Sequence, residues 1–94
     1  GSWRGKKPLQ RNAVIALANY RDRTAIPELL RMIDQDPRPV LRGTAAWAIA
    51  EIVREPNPEM LAFFSERLII ETDEETKAEM EKAYLKMLEI QKTD

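Results

Sequence analysis

The chain contains neither cysteine nor histidine. Without a thiol there is no disulfide framework and no thiolate nucleophile, which fits a reducing, cytoplasmic setting. Without an imidazole the usual general base is missing, and with both absent so are the usual zinc ligands. The only serines are Ser2, in an amino-terminal Gly-Ser pair that reads as a scar of tag removal, and Ser65, which has no histidine to activate it. Glycine is scarce too. Gly1, Gly5 and Gly43 are scattered and form no phosphate-cradling loop. No run of eighteen apolar residues is available to span a membrane. For this chain by itself the expectation is therefore no catalytic residue, no metal and no cofactor. Binding is the function class that remains.

What is abundant is charge. Ninety-four residues that are 33% charged and 44% apolar suit one small globular domain over residues 3–94. Residues 1–54 carry ten Lys and Arg against five Asp and Glu, whereas residues 55–94 carry five against eleven. Such polarity suits an anionic partner at the basic end, although scatter over exposed helical faces gives the same tally.

Prolines and polar turns divide the sequence into five helical stretches. The lead-in Trp3-Arg4-Gly5-Lys6-Lys7 ends at Pro8, whose missing N–H is no loss in a first helical turn. The first helix is predicted from about Pro8 to Asn19, burying Leu9, Ala13, Ala16, Leu17 and Tyr20. After Arg21-Asp22-Arg23, Thr24 is the expected cap of a second helix that tolerates Pro27 and buries Ile26, Leu29, Leu30 and Ile33. Proline disfavours a helical residue before it, so the third helix starts at Pro39 and runs to about Arg54. A fourth, about Pro58 to Ile70, buries Met60 or Leu61, Phe64, Leu68 and Phe63. Thr72-Asp73-Glu74-Glu75 has the form of a capping box for a fifth helix over about 73–91. That helix buries Ala78 or Met80, then Ala83, Tyr84, Met87, Leu88 and Ile90. Glu71, Asp73, Glu74 and Glu75 have the chemistry to hold a hard cation, but the helix dipole and the capping box account for them.

The third helix organises the rest. Leu41, Ala45, Ala48, Ile49 and Ile52 form one apolar stripe and Val40, Ala46, Ala50 and Val53 a second, so the helix is covered on more than one side. A shift of 32 residues lays Ala13, Ala16, Leu17 and Ala18 on Ala45, Ala48, Ile49 and Ala50, and a shift of 31 lays Arg11 on Arg42. A degraded third copy at a shift of 35 puts Ala48 on Ala83 and Ile52 on Met87. A helix-pair repeat with this period predicts an all-α, right-handed α-solenoid of about five helices. Its units are repeat one over about 8–36, repeat two over about 37–70, and a degenerate capping helix over about 73–91.

Equivalent helices of such a stack lie side by side, so their N-termini line one edge. Arg4, Lys6, Lys7 and Arg11 fall at the start of the first helix and Arg38 and Arg42 at the start of the third. Free N–H groups, positive dipole ends and basic side chains together suit phosphates. The bland alternative is solvated Arg and Lys near turns, with Arg42 paired to Asp36 or to an acid on the next layer. The acids Asp73, Glu74 and Glu75, following Thr72, end the patch at the third copy. Trp47 is expected to pack flat over Gly43, one turn away, leaving Trp3 as the candidate for base stacking.

The lead-in Trp3–Pro8 with Gln10-Arg11-Asn12-Ala13, and the run Arg42–Ala48, resemble the carboxy-terminal HEAT-like repeat region of bacterial epoxyqueuosine reductases over roughly Trp3–Val53. The looser Arg and Ala spacing is shared with phycobilin (PBS) lyase-type repeats and some DNA-repair solenoids. The resemblance implies a role in queuosine biosynthesis, a tRNA modification in which epoxyqueuosine at the wobble position is reduced with cobalamin and two 4Fe–4S clusters. Those cofactors belong to amino-terminal domains, and a chain without cysteine departs from that pattern by omission. The implied role is that of a non-catalytic appendage contacting the tRNA anticodon stem-loop or bracing the catalytic domain of the same polypeptide. Arg4, Lys6, Lys7, Arg11, Arg38 and Arg42 are the phosphate contacts it suggests. The competing expectation is a protein–protein scaffold with an exposed apolar helix face and no nucleic-acid role.

Overall fold

The computed structural model describes residues 9–92. They form α1 (Arg11–Asn19), α2 (Ile26–Gln35), α3 (Pro39–Ile52), α4 (Pro58–Ile70) and α5 (Glu74–Lys92), with one 3-10 turn, Arg23–Ala25, leading into α2. No strand occurs among the described residues. The architecture is all-α, a solenoid-like stack centred on α3, which packs against α1, α2 and α5, while α4 packs against α5.

The composition of α3 explains its central position. Leu41, Ala45, Ala46, Ala48, Ile49, Ala50 and Ile52 are all buried, and four of these are alanines that let neighbouring backbones come close. Val40 departs from the expected stripe and is 60% exposed. Gly43 turns toward α5: a Cβ there would lie 3.5 Å from Glu79 Cβ and 3.6 Å from Thr76 Cα. The space beside this glycine is therefore bounded by α5, where the sequence suggested room for the Trp47 indole. Around α3 the core is completed by Val14, Leu29, Ile33, Phe64, Met80 and Met87, all essentially inaccessible to water. Each contributes about 1.5–3 kcal/mol by leaving water.

Helix α1 buries a different face from the expected one. Val14 and Ala18 are buried and Leu9, Ile15 and Leu17 half-buried, but Ala13 and Ala16 are exposed and Tyr20 is 85% exposed. The segment Val14–Ala18 is apolar on every side, so periodicity alone does not choose its face. Ala13 and Ala16 correspond to Ala45 and Ala48, which α3 buries because it has neighbours on both flanks; the main neighbour of α1 is α3.

The turns also differ in detail. The carboxylate of Asp22, rather than Thr24, caps the entry to α2, accepting from the Thr24 backbone N–H at 3.1 Å and from its hydroxyl at 2.6 Å. At the end of α1, Arg21 N–H donates to the Ala18 carbonyl and Asp22 N–H to the Leu17 carbonyl, with Arg21 at φ 51°. This paired closure ordinarily has glycine in the left-handed position. Asn57 caps α4 through its side-chain oxygen, 2.8 Å from Met60 N. Asp73, not Thr72, caps α5 by accepting from Thr76 N–H at 3.0 Å. Helix α3 stops at Ile52, two residues before the expected end, because Val53 is extended. On α5 it is Met80 that is buried, and Ala78 is exposed.

Candidate nucleic-acid interface

The stack brings the starts of α1, α3 and α5 to one edge. A guanidinium hydrogen of Arg38, just before α3, is donated to the Leu9 carbonyl just before α1 at 3.3 Å. Across the other flank, the Thr76 hydroxyl in the first turn of α5 reaches the Pro39 carbonyl at 2.9 Å and the Asp73 carboxylate at 2.7 Å.

Along this edge the expected phosphate-binding residues differ in how far they are already engaged. Arg11 is exposed and makes no ion pair with any described residue. The N-terminus of α1 has no side-chain cap, and Val14 is its first N–H to bond back to Gln10. Arg38 is held by Asp36, with Nε 2.9 Å from Oδ1 and Nη2 2.7 Å from Oδ2, yet 36% of its side chain remains accessible. Arg42 is turned inward. Its Nε and Nη2 donate to Glu71 at 2.9 and 2.8 Å, and Nη1 donates to the Asp36 carbonyl at 2.9 Å. Arg4, Lys6, Lys7 and Trp3 lie outside the described residues.

Asp36 and Glu71 are structural counterparts 35 residues apart. Each accepts the backbone N–H two residues on, Arg38 N at 2.9 Å and Asp73 N at 3.0 Å, and each grips an arginine. The arginine hydrogen bonds hold both carboxyls below the usual carboxylate range, with burial opposing. The same bonds raise the pKa of Arg38 and Arg42. Glu71 is the site residue that sequence reasoning did not single out for Arg42. The shift of 35 that matched α3 to α5 also lays Asp36 on Glu71, so the signal was present.

Beside this edge, α1, α3 and α5 enclose a cleft of about 410 Å³. Arg11 and Ile15 form the α1 wall, and Val40, Gly43, Thr44 and Trp47 the floor. Asp73, Glu75, Thr76 and Glu79 form the α5 wall. The Thr44 hydroxyl is spent on the Val40 carbonyl at 2.8 Å. The basic character of the edge thus gives way to acid at α5.

A family model described as HEAT repeats matches residues 5–84. An epoxyqueuosine reductase of Bacillus subtilis is 54% identical over 82 residues, covering 87% of this chain and 20% of the relative. One from Listeria monocytogenes is 64% identical over 52 residues, covering 55% of this chain and 14% of the relative. A crystal structure of epoxyqueuosine reductase with an epoxyqueuosine-modified tRNA-Tyr stem loop superposes with a TM-score of 0.75 at 50% identity, covering 94% of this chain and 23% of that one. The chain spans between 20% and 37% of the length of the curated relatives that match most of it.

Proposed function

The chain belongs to the HEAT repeat family, and on that premise we propose that it is the non-catalytic, tRNA-binding repeat region of an epoxyqueuosine reductase. The observation that carries this reading is the edge where the α1 and α3 N-termini meet, with Arg11 unpaired among the described residues and Arg38 half-open. An uncapped helix start, the Arg11 guanidinium and the accessible part of Arg38 attract phosphate oxygens. The similarity to a reductase solved with a tRNA stem loop supports the same partner.

In this proposal Arg11 and Arg38 contact phosphates directly, joined by Arg4, Lys6 and Lys7 of the lead-in. Arg42, whose donors face Glu71 and Asp36, braces the edge on which the others sit. Recognition would be of backbone and helix shape. With no cysteine in the sequence, the donor set does not fit an iron–sulfur cluster. The reductive chemistry and its cofactors are therefore assigned to the remainder of the polypeptide, which would also be the second partner. No helix among the described residues is long and apolar enough to cross a membrane.

The test is binding of a labelled tRNA anticodon stem-loop by fluorescence anisotropy at low salt. Arg11→Glu and Lys7→Glu should each weaken it about tenfold or more while leaving the circular dichroism spectrum intact. No binding, or indifference to both reversals, would refute the reading. A scaffold role is the second reading, favoured by Ala13, Ala16 and Tyr20 exposed together on α1. It predicts that Tyr20→Ser disturbs association with the catalytic part and leaves RNA binding unchanged.

A further inference from the structure

We propose that the cleft between α1, α3 and α5 is a site for one unpaired nucleotide bearing an amino-substituted base. The base lies against Trp47, its phosphate meets Arg11, and its N–H donors meet Glu75 or Glu79. This rests on the RNA-binding reading and assigns that role to particular residues.

The cleft's two walls carry opposite charge. On the α1 side stands Arg11, exposed and without an ion pair among the described residues. On the α5 side stand Glu75, without an ion pair among the described residues, and Glu79, whose only ion pair among them is a 3.8 Å approach to the exposed Lys82. Between them the floor is mostly apolar, with the half-buried Trp47 indole and Val40, which is 60% exposed.

A simple anion would be opposed by the carboxylates, and a simple cation by Arg11. A nucleotide matches both walls because an aromatic plane separates its phosphate from its base-edge donors. Carboxylates accept from amino groups on base edges, and indoles stack on any base. The carboxylates add selectivity: guanine and cytosine offer amino hydrogens, whereas the single N–H of uracil lies between two carbonyls that a carboxylate repels. Asp73 is already partly committed, its Oδ2 accepting from both the Thr76 N–H and the Thr76 hydroxyl.

The test uses the 94-residue chain carrying Trp3→Phe, so that Trp47 is its one indole. Titration with GMP and with UMP should quench Trp47 emission, GMP several-fold more tightly. Trp47→Leu should weaken binding of an anticodon stem-loop about tenfold, with less than twofold effect on a fully paired duplex of the same stem. Glu79→Gln, a near-isosteric change at a half-exposed side chain, should remove most of the preference for GMP over UMP. If the stem-loop binds with Arg11 dependence but Trp47 emission and the Trp47→Leu and Glu79→Gln affinities do not respond, the cleft site is wrong and the phosphate edge stands. Absence of stem-loop binding in the unsubstituted chain sinks the RNA reading itself. Quenching by an oligo-arginine peptide, lost in Glu79→Gln while GMP is inert, would overturn the nucleotide in favour of a cationic segment.

Discussion

Arg42 and Glu71, 29 residues apart, form a two-pronged ion pair in which the Glu71 side chain is only 1% exposed. The pair fastens the start of α3 to the strand of chain entering α5, and the third donor of Arg42 holds the Asp36 carbonyl. Removing one member of a buried pair strands the other. Arg42→Ala should therefore destabilise the fold by about 3 kcal/mol in urea denaturation followed by helical circular dichroism. Arg42→Met combined with Glu71→Leu should recover part of that loss, since an apolar pair of similar volume strands no charge, although the Asp36 carbonyl and the Asp73 N–H each lose a partner.

Acid should weaken the fold through the same contacts. Asp36 and Glu71 are held below their ordinary pKa, first by the hydrogen bonds from Arg38 and Arg42. The folded state thus binds fewer protons than the unfolded one. The stability these carboxylates contribute is present above about pH 4 and lost as pH falls through their depressed folded values. The urea midpoint should fall between pH 5 and pH 2.5, and Glu71→Gln should flatten that fall relative to the parent chain.

The turn after α1 stores strain that can be released. Arg21 sits at φ 51° in a closure that suits glycine. Left-handed backbone costs a side-chain-bearing residue about 1–2 kcal/mol, offset in part by the greater freedom of glycine when unfolded. Arg21→Gly should raise stability by about 0.5–1 kcal/mol, visible as a higher thermal midpoint.

The caps offer a local check. Asp73→Ala should cost about 1 kcal/mol because it strips the acceptor from Thr76 N–H, whereas Thr72→Ala, at an exposed and uninvolved hydroxyl, should change little. The opposite order would restore Thr72 as the cap.

Several of these features were legible in the sequence, for identifiable reasons. Helix α4 has its expected bounds because Asn57-Pro58 marks its start, and the burial of α3 follows from two adjoining apolar stripes. The face of α1 was not legible, because six consecutive apolar residues, Ala13–Ala18, leave the choice to tertiary neighbours. Thr24 and Thr72 were attractive caps by residue type, yet in both turns the nearby aspartate accepts the N–H bond, a choice made by backbone geometry. An acid on the next layer was one of two partners open to Arg42, and only the stacking of α3 on α5 identifies Glu71. The cleft was invisible because its walls come from three separate helices, so packing over Gly43 looked a commoner role for Trp47 than stacking on a base.

The central claim, that the α1 and α3 edge binds the tRNA backbone, is tested most directly by salt dependence. Affinity for the anticodon stem-loop should be measured from 50 to 300 mM KCl for the parent chain and for Arg11→Ala. Five basic contacts predict a log–log slope of about −4, and loss of Arg11 should make it shallower by about 1. A slope near zero, or one that Arg11→Ala leaves unchanged, would contradict the assignment of this edge to phosphates.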